Sequence, residues 1–139
     1  MVRIVSGMLL LLRRDFKMKL YLALLTVQKD FKTSHDDPID MMAKCLTVTE
    51  KYFTVKRSAF YVFDRDAFTY AMILAESHAV VQTYPELDRI FISVEYHEED
   101  PENLKIDIFE YLADLNTALE GTGCSIDVRE RYQHVLQTE

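Results

Sequence analysis

The chain has 139 residues, of which 49% are hydrophobic, which suits one globular domain that buries roughly two-thirds of its unfolded surface. Acidic residues outnumber basic ones by 23 to 16 and the net charge is −7. Because lysines and arginines form no long stripe, the sequence argues against a nucleic-acid partner.

The two cysteines, Cys45 and Cys124, lack the spacing of a metal knuckle or a redox pair. No disulfide scaffold is therefore predicted, and the cytoplasm is the favoured compartment.

The first seventeen residues contain an apolar run that ends at Arg13-Arg14. The run is too short to cross a bilayer, and no small-residue cleavage site follows it, so the sequence predicts no membrane segment. We expect residues 1–17 to be a disordered extension, or the product of an upstream start codon with Met18 as the working start. An added edge strand or an oligomer contact is the alternative. Residues 18–139 then form the single domain.

The first elements of that domain are a strand and a helix. Residues 19–27 have the aliphatic and aromatic content of a buried strand. Asp37 is suited to cap a helix, and Pro38 fits its first position. Apolar residues continue at helical spacing, which predicts a helix over 38–53 with one face on a sheet. They are Ile39, Met42, Ala43, Leu46 and Phe53.

Three strands are predicted next, over 55–63, 69–83 and 89–96. The second contains a polar triplet, Glu76-Ser77-His78, between two apolar runs. The triplet has no Gly, Pro or Asn to mark an ordinary turn, and its carboxylate would be costly to bury unpaired. We therefore interpret the Glu76-Ser77 bond as a site of chain chemistry.

The remaining elements repeat the earlier pattern. Asp100-Pro101 offers a second cap pair before a helix that Gly121 and Gly123 end. The apolar positions that mark this helix are Ile108, Leu112, Leu115 and Leu119. A last strand covers 124–130. The order of elements predicts an α+β fold, with two helices on one face of an antiparallel sheet.

Several segments together carry a family resemblance. They are Ser58-Ala59-Phe60, Leu74-Ala75-Glu76-Ser77-His78, Thr83-Tyr84-Pro85-Glu86, Glu110-Tyr111-Leu112 and Asp127-Val128-Arg129-Glu130-Arg131-Tyr132. In order and spacing they resemble the small prokaryotic S-adenosylmethionine decarboxylases, over most of the chain from about Met18 and weakly before Ser58. The resemblance implies that family's two-layer α/β sandwich.

The resemblance also implies a self-processing enzyme. In the family, the serine at the position of Ser77 attacks the carbonyl of the residue at Glu76, the amide becomes an ester, and β-elimination splits the chain. The serine becomes a pyruvoyl cofactor, a ketone that accepts the electron pair left when an amino acid loses its carboxylate.

Three further residues acquire roles through the resemblance. Thr69 stands where the family has a serine whose hydroxyl assists processing, and threonine offers the same donor and acceptor. Phe63 stands where an aromatic ring stacks on adenine, and Glu86 where a carboxylate binds the ribose hydroxyls. Without the resemblance, Phe63 would be interpreted as a core strand aromatic and Glu86 as a solvated turn residue.

Some positions depart from the family pattern. Gln82 replaces the histidine that removes the serine Cα proton, and an amide has no useful basicity. His97 replaces the cysteine that returns a proton to the substrate, and imidazole is a competent general acid near neutrality. The alternative interpretation of His97 is a surface histidine at the start of an acidic loop. Tyr84 replaces the usual tryptophan, and Leu87-Asp88 interrupts a stretch that is commonly aromatic and glycine.

Three functions remain open at this point. The first is a decarboxylase of S-adenosylmethionine in spermidine biosynthesis, the second a pyruvoyl enzyme for another amino acid such as arginine or ornithine, and the third a regulatory homologue that never cleaves. The resemblance also suggests a homodimer. The four histidines show no ligand spacing, so no metal is expected.

Overall fold

The computed structural model describes residues 2–5, 8–11, 17–27, 37–64, 67–75, 77–96 and 106–132. Its elements, in chain order, are β1 (Val2–Val5), β2 (Met8–Leu11), β3 (Lys17–Val27), α1 (Pro38–Glu50), β4 (Val55–Val62), β5 (Phe68–Leu74), β6 (Ser77–Tyr84), a short 3-10 turn (Pro85–Leu87), β7 (Arg89–Tyr96), α2 (Ile108–Ala118) and β8 (Gly121–Tyr132).

Six of the described strands form one antiparallel sheet in the order β4-β5-β6-β7-β3-β8. The two described helices contact each other, α1 contacts β4 and β5, and α2 contacts β8. Buried residues of both helices and of the sheet belong to one core, so the helices cover one face. The predicted α+β sandwich is therefore confirmed. We call the opposite face of the sheet the open face.

Alternation along the strands separates the two faces. In β5 and β6, every second residue is buried against the helices, and the residues between them are half-buried or exposed. The open-face residues of these two strands are Thr69, Ala71, Ile73, His78, Val80, Gln82 and Tyr84. In β7, buried Ile90, Ile92 and Val94 alternate with half-buried neighbours in the same way.

Both helices begin at an aspartate cap. The Asp37 carboxylate accepts the N–H groups of Ile39 at 2.9 Å and Asp40 at 3.1 Å, and Pro38 takes the first helical position. The predicted start of α1 is confirmed, although the helix ends at Glu50 rather than at residue 53.

The predicted start of the second helix is wrong. Its N-cap is Asp107, whose carboxylate accepts the N–H groups of Phe109 and Glu110, both at 3.1 Å. Asp100-Pro101 lies outside the described residues. Gly121 belongs to β8, and the left-handed residue that follows α2 is Glu120, with φ 58°. The last strand therefore starts three residues before the predicted residue 124.

Backbone pairing places β1 and β2 in a two-stranded antiparallel sheet of their own. The division into an extension, 1–17, and a domain, 18–139, stays a prediction. No helix among the described residues is long and apolar enough to cross a membrane.

Candidate active site

The polar triplet lies at a hairpin and does not interrupt a single strand. Leu74 of β5 pairs with Ser77 of β6, so that only Ala75 and Glu76 connect the two strands. The predicted continuous strand over 69–83 is therefore wrong. The polar triplet marked the position of the break, but the connection has no glycine, proline or asparagine, the residues that usually indicate a turn. Glu76 itself lies outside the described residues.

Ser77 is the first residue of β6, and its side chain points toward the helices. It is 8% exposed and shares this face with buried Ala79 and Val81. His78 points to the open face, where its side chain is 49% exposed. Its Nε2 lies 3.9 Å from a carboxylate oxygen of Glu95, the residue directly opposite on β7. Adjacent side chains thus face opposite ways, and His78 does not share a face with Ser77.

The other end of the same hairpin forms a cavity of about 540 Å³. Thr69 and Gln82 are direct cross-strand partners there. The lining residues are Phe63, Asp64, Ala67, Phe68, Thr69, Gln82, Thr83, Tyr84 and Glu86. Four of the predicted site residues, separated by up to 23 positions in the chain, therefore meet around one space.

Local hydrogen bonds fix the walls of this cavity. The Phe63 N–H donates to the Ala67 carbonyl at 2.6 Å, which closes the β4–β5 connection. The Phe68 N–H donates to Thr83 Oγ1 at 2.9 Å and joins β5 to the end of β6. Behind Glu86, the left-handed conformation of Asp88, φ 52°, turns the chain from the 3-10 helix into β7.

The chemistry of the lining is aromatic and acidic. Phe63 is 52% exposed and Tyr84 37% exposed, so both rings present surface to a ligand. Asp64 and Glu86 supply carboxylates, and none of the lining residues that the structure describes is Lys, Arg or His. Such a lining suits a flat ring combined with hydroxyl groups or a positive charge. Asp64 was missed from sequence, although it directly follows Phe63.

Ser77 does not line this cavity. It lies five positions before Gln82 on β6, which corresponds to about 17 Å along a strand. An odd offset also places the two side chains on opposite faces. One chain therefore unites Phe63, Thr69, Gln82 and Glu86 and leaves Ser77 apart from them. His97 lies outside the described residues.

A second cavity, of about 330 Å³, lies near the hairpin end that carries Ser77. Its lining residues are Glu50, Lys51, Tyr52, Phe53, Thr54, Ala75 and Ile106. The Tyr52 hydroxyl donates to the Asp114 carboxylate of α2. This hydrogen bond, followed by burial and the nearby negative charge, raises the pKa of Tyr52 to about 12. No short-range pattern in the sequence indicated this cavity, because its walls come from three distant segments.

Comparison with known proteins supports the fold alone. No family model matches the chain, and no curated protein matches it in sequence. Among solved structures, the chain is similar to the adenosylmethionine decarboxylase from Aquifex aeolicus, with a TM-score of 0.61 and 20% sequence identity. The match covers 91% of this chain and 98% of that one. The chain therefore has an adenosylmethionine decarboxylase-like fold.

Proposed function

We propose that this chain is a self-processing, pyruvoyl-dependent decarboxylase of S-adenosylmethionine that serves spermidine biosynthesis. The observation that carries the proposal is the cavity at the end of the β5–β6 hairpin, which collects Phe63, Thr69, Gln82 and Glu86 from separate segments. The likeness to a decarboxylase over nearly the whole length of both chains agrees with it. The ring of Phe63 would stack on adenine, and the Glu86 carboxylate would accept the ribose hydroxyls.

The hairpin connection is a suitable place for chain cleavage. The Ser77 Oγ would attack the carbonyl carbon of Glu76, so that the amide becomes an ester. Removal of the Ser77 Cα proton then breaks its Cβ–Oγ bond and releases Glu76 as a carboxylate. Addition of water and loss of ammonia convert the remaining dehydroalanine into the pyruvoyl group. The cut would fall between paired strands, and the cross-strand pairs from Ile73 and His78 onward would hold both fragments together.

The pyruvoyl group supplies a ketone that condenses with an amine and accepts electrons during decarboxylation. Its precursor fits this position, because Ser77 is largely buried at the start of a central strand, where water is restricted. Thr69 would assist processing through its hydroxyl. His97 would return the proton to the substrate carbon.

We further propose that the enzyme is a homodimer that packs through its open face. Within one chain, Ser77 lies about 17 Å along the strand from Gln82, and its side chain points toward the helices. Open-face packing would therefore bring the partner subunit's Thr69 and Gln82 toward the Ser77 backbone, from which the Cα proton is removed, and not toward the Ser77 hydroxyl. The open face carries exposed apolar side chains that such packing would cover: Leu24, Ile73 and Tyr84 are 40%, 54% and 37% exposed. If the two sheets pack with their β6 strands antiparallel, the hairpin end of one chain meets the cavity end of the other.

The cysteines agree with a cytoplasmic location, which we also propose. Cys45 is buried in α1 and Cys124 is exposed on β8, and both are free thiols. Among the described residues, no cluster of three or more His, Cys, Asp or Glu residues is placed to hold a metal ion. The absence of a metal requirement stays a prediction.

Intact mass spectrometry of the purified chain tests the processing step. Self-cleavage would give residues 1–76 and a 63-residue fragment that begins with a pyruvoyl group. A single species of all 139 residues after long incubation would contradict the proposal and favour a regulatory homologue. Gln82 is the sequence feature that supports this last alternative.

A decarboxylase of another amino acid is the second candidate, because the described residues that line the cavity include two carboxylates, those of Asp64 and Glu86. Such a lining also suits the basic side chain of arginine or ornithine. Turnover of these two amino acids should be compared with turnover of S-adenosylmethionine. Activity on arginine or ornithine alone would exclude the first candidate.

A further inference from the structure

Strand β4 is an edge of the six-stranded sheet, and its second half has little protection against pairing. Within β4, Phe60, Tyr61 and Val62 are 56%, 65% and 39% exposed. Natural edge strands are usually blunted by charges, by proline or by a covering element, because their free backbone groups recruit other strands. From Ser58 to Phe63, the edge has none of the first two features.

The opposite edge, β8, differs in this respect. Its exposed second half carries several charged side chains, among them Asp127, Arg129 and Glu130. Charged side chains are one of the features by which natural proteins protect an edge strand from pairing. The asymmetry indicates that β4 is the edge available for pairing.

The hydrogen bonds between β4 and β5 show which backbone groups of β4 point away from the sheet and can pair with another strand. Phe63 donates its N–H to Ala67 of the β5 side. The backbone N–H and carbonyl groups of successive residues point to alternate sides of an antiparallel strand. Tyr61 and Ala59 therefore also direct these backbone groups toward β5. The residues between them direct their N–H and carbonyl groups away from the sheet. These residues are Ser58, Phe60 and Val62.

We propose that β4 pairs with β4 of a second copy of this chain, antiparallel and centred on Phe60. This register joins outward-directed residues to each other, with Phe60 opposite the partner subunit's Phe60 and Ser58 opposite the partner subunit's Val62. It extends the sheet across two chains and buries apolar side chains on both of its faces.

Charge complementarity selects this register. β4 begins with Lys56-Arg57, and Asp64 follows its last residue. A two-fold axis at Phe60 places the basic end of each strand beside the other chain's Asp64. Arg57 then lies opposite the partner subunit's Phe63, where a guanidinium can stack on the ring. A shift by two residues in either direction loses the approach of Lys56 to Asp64.

This edge contact is independent of the open-face packing proposed above, because the edges of two sheets stay free when their faces pack. The edge contact would also change the charge at the rim of the cavity. Phe63 and Asp64 line that cavity, so the partner subunit's Lys56 and Arg57 would supply positive charge at the rim of a pocket whose described lining includes two carboxylates.

Cysteine cross-linking tests the register directly. In a Cys124→Ser background, Phe60→Cys places two thiols on residues whose Cα atoms lie about 5.5 Å apart in a hydrogen-bonded pair, within the range of a disulfide. Ser58→Cys is the matched control, because its two copies lie four positions apart, or about 14 Å. Under mild oxidation, Phe60→Cys should form covalent dimers at least about tenfold faster than Ser58→Cys. Equal rates, or no dimer from either variant, would overturn the proposal.

Charge reversal gives a second, independent test. In a Val80→Arg background, which blocks packing through the open face, sedimentation velocity measures the edge contact alone. Lys56→Glu should weaken self-association by about threefold to thirtyfold, since symmetry removes two exposed ion pairs. Adding Asp64→Lys should restore the association. If the double variant does not recover its self-association, the pairing is refuted. A separate comparison concerns Val80→Arg alone: if its sedimenting mass equals that of the wild type, only the open-face dimer is contradicted.

Discussion

Ser77 and Gln82 lie on the same strand, five positions apart, with their side chains on opposite faces of the sheet. This relationship means that a residue at position 82 cannot act on Ser77 of its own chain without leaving the strand. If processing depends on both positions, they must come from different chains.

Ser77→Ala should abolish cleavage completely, because alanine has no hydroxyl to attack Glu76. The folded state should persist, since Ser77 is followed by the same buried residues of β6 and alanine fits a site that is 8% exposed. Intact mass measured over days checks the result. Ser125→Ala, on the exposed part of β8, is the control and should process like the wild type.

Gln82→His should speed processing, and the effect should appear in the partner chain. In a mixture, a Ser77→Ala/Gln82→His chain cannot cleave itself, yet it should accelerate cleavage of wild-type chains. An imidazole has the basicity near neutrality that an amide lacks, and the resulting gain should be about 100- to 10,000-fold. The same mixture with Ser77→Ala alone is the control. Acceleration in cis without acceleration in trans would contradict the open-face dimer.

The sequence predicted most of the sheet because each strand carries a clear pattern. Asp37-Pro38 fixed the start of α1 through local hydrogen bonds that need only a few residues. The same signal at Asp100-Pro101 gave a wrong start for α2, because Asp107 caps that helix and no proline follows it. The sequence did not show that residues 69–83 form two strands, because the chain reverses over only two residues and the pairing of β5 with β6 depends on contacts within the whole sheet.

The cavity was predicted only in part. The resemblance identified Phe63, Thr69, Gln82 and Glu86, and the structure brings them together. The resemblance alone did not indicate that Ser77 and Gln82 lie on opposite faces, because this follows from their odd separation along β6 and not from the motif. The Tyr52–Asp114 contact joins residues 62 positions apart and leaves no local signal in either segment.

Phe63→Ala should weaken binding of an adenine nucleoside by about 5- to 150-fold, since loss of one stacking contact costs about 1–3 kcal/mol. Phe109→Ala is a matched control, because Phe109 is also 52% exposed but does not line the cavity. Calorimetric titration of S-adenosylmethionine into Ser77→Ala protein measures both variants without turnover. An equal loss in both would indicate a general effect on the fold.

Thr49→Val should destabilise the fold by about 1–3 kcal/mol through the loss of buried hydrogen bonds. Thr49 Oγ1 lies 2.7 Å from both the Cys45 carbonyl and the Tyr111 hydroxyl, which joins α1 to α2. Valine keeps the shape and leaves the Tyr111 hydroxyl without this partner. Thr47→Val, on the exposed side of the same helix, should change the free energy of unfolding by less than about 0.5 kcal/mol. Urea unfolding compares the two variants.

Tyr52→Phe should flatten the loss of stability at alkaline pH. The hydrogen bond to Asp114, with burial and neighbouring carboxylates, raises the pKa of Tyr52 from 10.0 to about 12 in the folded chain. Between these values the unfolded chain has lost the phenol proton and the folded chain retains it, so stability falls as pH rises through this window. The contribution is fully present below pH 10. Urea unfolding at intervals from pH 8 to about pH 12 measures the difference between wild type and variant. The two curves should converge as pH rises, and a constant separation would contradict the assignment to Tyr52.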